Sequence, residues 1–144
     1  MKRRQVLQQF ASGSLFLMAG CSAFGEESGS FTFAIVNRRE RHYRAEFTIW
    51  NDSDEIIRDG YADIAARPPG DGEFTALSFD NLPRVRNGDT ITVRINIDEE
   101  TFEETYEITC NQSEHAENNF FFQIRRPGAA NTNESGMEFT GSRC

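Results

Sequence analysis

This chain has almost no lysine. Of its 15 basic residues only Lys2 is a lysine, and all the others are arginine. It holds one tryptophan, two histidines, three cysteines and four prolines in 144 residues. No apolar run reaches the roughly 20 residues that a bilayer-spanning helix needs, which excludes a helical membrane domain. The length leaves room for one domain, which excludes a multidomain enzyme or a large solute receptor. Positive charge is scarce overall, with 15 Lys+Arg against 23 Asp+Glu and a formal net of -8. Phosphate backbones need a positive surface, so nucleic acid is not an expected partner. The chain has no HExxH, no phosphate loop and no nucleophile elbow. Its Gly-Ser pairs, Gly13-Ser14 and Gly29-Ser30, sit outside any strand-to-helix turn. Neither catalysis nor a cofactor is expected.

The residues that are present begin with an address. Lys2, Arg3 and Arg4 precede a modestly apolar stretch from Val6 to Ala19, and the small pair Ala19-Gly20 stands before Cys21. This is the order of an export signal. Arg3-Arg4-Gln5-Val6-Leu7 resembles the twin-arginine export signal. Leu17-Met18-Ala19-Gly20-Cys21 resembles a lipobox, whose cysteine is lipidated and becomes the first residue of the mature chain. Residues 1–20 therefore read as a signal peptide, 21–30 as a small, polar, glycine-bearing tether, and 31–144 as the domain. Removing 1–20 leaves 124 residues, with 12 arginines against 23 acidic side chains.

Acid excess, missing lysine, a twin-arginine signal and a lipobox together resemble the small lipoproteins of halophilic archaea. The resemblance implies attachment through a lipid on Cys21 to the outer face of the cytoplasmic membrane. With Cys21 so used, Cys110 and Cys144 remain, in a compartment that permits disulfides. A Cys110–Cys144 bond is expected, and closing that loop contributes roughly 3–4 kcal/mol in the chain-entropy account. Dense carboxylates hold water and counterions, and their repulsion is screened by high salt.

The domain reads as all-β. Phe31, Phe33 and Ile35 alternate with Thr32, Ala34 and Val36, and Tyr43, Ala45, Phe47 and Ile49 alternate with Arg44, Glu46, Thr48 and Trp50. A third strand is expected over 56–65, with an irregularity at Asp59-Gly60, and a fourth over 74–79. Ile91, Val93, Ile95 and Ile97 form a hairpin with Phe102, Tyr106, Ile108 and Cys110. Glu104 is the misfit in that second series, and the hairpin end is where it is expected to reach water. Phe120 to Ile124 and Gly136 to Thr140 complete seven or eight strands. That spacing predicts an immunoglobulin-like or related Greek-key β-sandwich, with an eight-stranded barrel as the rival.

Several side chains are candidates for a site. Cys110, His115, His42 and Met137 are the ligand types of a blue-copper centre, but Met137 lies 22 residues beyond His115, so no metal site is expected. The acidic runs Asp52-Ser53-Asp54-Glu55, Asp98-Glu99-Glu100 and Glu103–Glu107 lack EF-hand order and read as a solvated face. Residues 38–44, with Arg38, Arg39, Arg41 and Arg44, form the one basic island. It reads either as a polar turn or as a contact for anionic headgroups or a carboxylate partner, held near the membrane by its closeness to Cys21. Arg84, Arg86 and Arg125-Arg126 are either its neighbours or scattered. Trp50 and Phe121 point away from the core series, either as partner-contact anchors or as caps on the sandwich edge. Asn51, Asn111 and Asn133 head N-glycosylation triplets in expected loops. The reading as a whole is a non-enzymatic, lipid-anchored cell-surface domain that binds an envelope protein or has a structural role. The alternative is an accessory ligand- or metal-binding lipoprotein of a membrane system.

Overall fold

The computed structural model describes residues 28–112, 115–127 and 135–142. Among the described residues there are eight strands: β1 Ser30–Asn37, β2 Tyr43–Trp50, β3 Ile56–Ile64, β4 Thr75–Phe79, β5 Thr90–Ile97, β6 Glu100–Glu107, β7 Glu117–Ile124 and β8 Met137–Gly141. They form two four-stranded sheets, ordered β4-β1-β7-β8 and β3-β2-β5-β6. The sheets remain separate, so the molecule is a β-sandwich and not a barrel.

Period-two alternation is what builds it. In β2, Tyr43, Ala45, Phe47 and Ile49 are buried while Arg44 and Glu46 are exposed. Ile91, Val93, Ile95 and Ile97 of β5 are buried beside them. The opposite sheet contributes Phe31, Phe33 and Ile35 from β1 and Phe120, Phe122 and Ile124 from β7. Aromatic pairs then join the sheets: Phe47 with Phe79 at 4.7 Å, Tyr106 with Phe120 at 4.8 Å, and Phe102 with Phe122 at 5.3 Å between centroids. Such pairs contribute about 0.5–1.5 kcal/mol each beyond the area they bury.

Strand direction gives the sandwich two distinct ends. The chain comes in at Ser30 and leaves β1 at Asn37, roughly 25 Å away at the usual strand rise. The end at Ser30 is called proximal here, and the end at Asn37 distal. β7 runs parallel to β1, whereas β4 is antiparallel to it. The distal end therefore collects the connections 38–42, 65–74, 98–99 and 125–136.

The proximal end is closed by a buried amide network. Gly29 and Val85 exchange two backbone hydrogen bonds of 2.8 and 2.9 Å. Asn111 Nδ2 donates to the Val85 carbonyl at 2.6 Å, and Asn118 Nδ2 donates to Asn111 Oδ1 at 2.6 Å. The Asn111 backbone N–H donates to Asn87 Oδ1 at 2.9 Å. A Cβ on Gly29 would stand 2.1 Å from Asn111 Oδ1, so the close approach requires glycine.

Three expectations are corrected. The irregularity in β3 is not at Asp59-Gly60. Gly60 stays in register opposite Phe47, and the shift falls where Ile49 faces Arg58 but Trp50 faces Ile56. Ile57 is the extra residue, beside the β2–β3 turn where the ladder begins. Glu104 is mid-strand rather than at the hairpin end, opposite Val93. It reaches water because β6 is an edge strand, and an inward-pointing charge there also discourages edge-to-edge pairing. Its neighbour Tyr106 donates its hydroxyl to the Ser142 carbonyl at 2.8 Å, and burial pushes the Tyr106 phenol above its ordinary pKa.

The third correction concerns sulfur. No Sγ–Sγ pair is found among the described residues, where Cys110 is the only cysteine. Cys144 lies outside them, so the pairing with Cys144 is withdrawn.

A candidate anion-binding cleft at the distal end

The distal turn after β1 is organised by one buried side chain. Asn37, fully buried, donates Nδ2 to the Arg41 carbonyl at 2.7 Å and to the Ala65 carbonyl at 3.0 Å. Its Oδ1 accepts the Arg39 backbone N–H at 2.9 Å. Asn37 thus ties the 38–42 turn to the 65–74 loop. The backbone N–H of Arg67 donates to the Arg39 carbonyl at 2.9 Å, and that of Arg38 donates to the Ile124 carbonyl at 2.9 Å. These bonds set arginines from three separate connections side by side.

The arginines of this end divide by what they hold. Arg39 is structural: Nε donates to the Arg125 carbonyl at 2.7 Å, Nη1 to Tyr43 Oη at 3.0 Å, and Nη2 to the Ser135 carbonyl. Arg41 turns aside to form a two-pronged bond with Asp98, 3.0 Å to each oxygen. That hydrogen bond and the Asp98 charge hold the exposed Arg41 guanidinium above its ordinary pKa. Arg67 is a locked charge with its side chain 8% exposed, donating to the Gly70 carbonyl at 2.5 Å and to Glu40 Oε1 at 2.8 Å.

Two arginines remain unspent. The Arg38 guanidinium lies 5.0 Å from the Phe74 ring centroid, with no ion pair among the described residues. Arg126 is exposed and has neither hydrogen bond nor ion pair among the described residues. Arg38, Arg67, Arg125 and Arg126, with Asp71 and Glu73, line a cleft of about 420 Å3. That volume lies in the range of small-molecule sites. Arg125 Nε lies 3.5 Å from Glu138 Oε1, which leaves Arg38 and Arg126 as the cleft's unpaired cations among the described residues, beside the carboxylates of Asp71 and Glu73. A stacked guanidinium keeps its N–H edge free while its face is covered, an arrangement suited to a planar oxyanion.

Of the expected site residues, Arg38 lines the cleft, Arg39 supports it and Arg41 does not belong to it. Arg125-Arg126 are neighbours of the island. Arg84 is not: it sits at the proximal end, donating to Ser28 Oγ and the Ser28 carbonyl at 3.0 and 2.6 Å. Closeness to Cys21 in sequence does not keep the island near the chain's point of arrival, because β1 carries it to the opposite end.

Trp50 is half-buried on the outer face of the β3-β2-β5-β6 sheet, with the Arg94 guanidinium 4.9 Å from its ring centroid. Phe121 is half-buried between Ala34 and Thr140 on the outer face of the other sheet. The most exposed large apolar side chains are Tyr61, Ile56 and Phe74, none of them singled out from sequence. The copper-type residues are dispersed. His42 faces Asp63 at 3.7 Å at the distal end, Met137 is in the core, and Cys110 and His115 belong to the proximal β6–β7 connection. The Asn51 side-chain oxygen accepts the Ser53 and Glu55 N–H groups, which folds the β2–β3 turn. Asn111 is buried with its amide nitrogen committed to Val85, a poor setting for a glycan. Cys21, Asn133 and Cys144 lie outside the described residues.

Arg67 was missed as a site residue, and Arg126 was named only as one of two readings, a neighbour of the basic island or a scattered charge. The signal was strand parity: connections after odd-numbered strands fall on one end of an up-and-down arrangement, and both residues lie in such connections. No protein-family model matches the chain, and no curated protein matches it. The architecture itself defines the class, an eight-stranded β-sandwich with an arginine-lined cleft at one end.

Proposed function

We propose that this chain is a lipid-anchored, non-catalytic binding domain on the outer face of the cytoplasmic membrane, and that its distal arginine cleft receives an anionic partner in the envelope. The observation that carries the reading is the position of Arg38 and Arg126, at the end of the sandwich opposite Ser28. A domain tethered at its proximal end would hold that cleft outward. Charge also supports it, since unspent guanidiniums in a chain of net charge -8 select a partner rather than attract anions generally. We read the sandwich as immunoglobulin-like or of a related Greek-key topology. In support, the chain passes between the sheets at β1–β2, β3–β4, β4–β5 and β6–β7.

The test is cross-linking in intact cells at native salt, followed by recovery of the chain and identification of what it carries. The expected outcome is an envelope component captured by the wild type and lost in Arg38→Ala/Arg126→Ala, with Cys21→Ser releasing the domain from the membrane fraction. Capture unchanged in the double variant would refute the cleft as the contact. A second reading, an accessory lipoprotein presenting a small ligand to a membrane system, is favoured by the cleft's volume of about 420 Å3.

A further inference from the structure

We infer that the group the cleft receives is an acidic sugar, a saccharide unit bearing a carboxylate, sulfate or phosphate. This rests on the proposed anion-binding reading and deepens it. Two kinds of group line one concavity and a third, Phe74, stands against its Arg38, and each matches one part of such a ligand.

The first is the pair of unspent guanidiniums. Arg38 is steadied on Phe74 and Arg126 is unpaired among the described residues, while Arg67 behind them is fixed by the Gly70 carbonyl and Glu40. Together they offer forked N–H donors to one oxyanion. The second is the carboxylate pair Asp71 and Glu73 on the same cleft, neither with an ion pair among the described residues. A site for a bare oxyanion gains nothing from carboxylates, which repel it. A ligand with hydroxyl donors beside its anionic group gains from both, because ionised carboxylates only accept hydrogen bonds. The third is Phe74, 49% exposed at the margin, whose free ring area offers an apolar surface to the C–H face of a sugar ring. An acidic peptide would satisfy the arginines, but its side chains would meet Asp71 and Glu73 as like charges.

The test is calorimetric titration of the full chain, in detergent and at fixed salt, with four probes: tri-galacturonate, neutral galactotriose, hexaglutamate and inorganic phosphate. Tri-galacturonate is expected to bind, with galactotriose and hexaglutamate at least about tenfold weaker. Arg38→Ala and Arg126→Ala should each weaken tri-galacturonate by about tenfold, whereas Arg58→Gln on the opposite sheet should not change it. The sign of Asp71→Asn decides the class: it should weaken tri-galacturonate and strengthen phosphate. Hexaglutamate binding more tightly than tri-galacturonate would overturn the sugar assignment and leave the anion-binding reading standing. So would Asp71→Asn strengthening every anion alike. Failure of all three anions to bind would overturn both.

Discussion

The two ends of this sandwich are built from the same kinds of loop and differ in what they leave unspent. At the proximal end, Asn87, Asn111 and Asn118 answer one another and the Gly29–Val85 backbone; the buried Asn118 Oδ1 is left over, but no charge is. At the distal end, Asn37 and Arg39 do similar structural work, but Arg38 and Arg126 are left without ion pairs among the described residues. Buried polar groups that satisfy each other specify a fold. Exposed charged groups held in place without a partner are available for recognition. The contrast separates a latch from a proposed binding site within one domain.

Damage to the proximal latch should have the largest effect. Asn111→Ala removes the donor to Val85 and the acceptor for Asn118 in one change, inside a buried cluster. The expected loss is about 2–3 kcal/mol, since buried partners are left short of hydrogen bonds. Urea titration at high salt measures it, and a midpoint within error of wild type would show that the proximal network is not what closes that end.

The distal end has its own structural element, and its loss should be next in size. Gly136 has φ 73°, and a Cβ there would stand 2.6 Å from the Arg125 carbonyl and 2.9 Å from that of Arg126. Gly136→Ala should therefore cost about 1–3 kcal/mol through strain and displaced backbone. Because the displaced carbonyls belong to cleft residues, anion binding should fall with it. A destabilised variant that binds normally would separate the Gly136 turn from the cleft.

Much of this was legible in the sequence, and the parts that were not have physical reasons. All eight strands were visible because alternation at period two survives wherever one face meets the core, as in β2 and β5. β1 is buried on both faces from Ala34 onward, so its alternation marked a strand without showing its central place between β4 and β7. Glu104 looked like an error in the pattern because sequence does not say which strands are edges. The cleft was visible only in part. Arg38 and Arg39 stood out as a run, but Arg67 and Arg126 join them through three long-range contacts: the Asn37 amide, the Arg67–Arg39 backbone bond and the Arg38–Ile124 bond. Local pattern carries none of these. Closeness in sequence was misleading for the tether, because a strand is an efficient spacer.

Removal of the Arg126 side chain should disturb the fold least. Arg126→Ala deletes a charge that no described group answers, from an exposed position. Nothing buried is uncovered, so stability should stay within about 0.5 kcal/mol of wild type. Repulsion from Arg38 and Arg125 is offset by Asp71 and Glu73 on the same cleft, so the residual difference should be small at low salt and shrink as salt rises. Thermal melts across a salt series give both readings. A large loss of stability would mean that Arg126 belongs to the fold after all, and the distal end would then be a second latch. Unchanged stability together with lost anion binding is the pattern that a group kept for a partner must show.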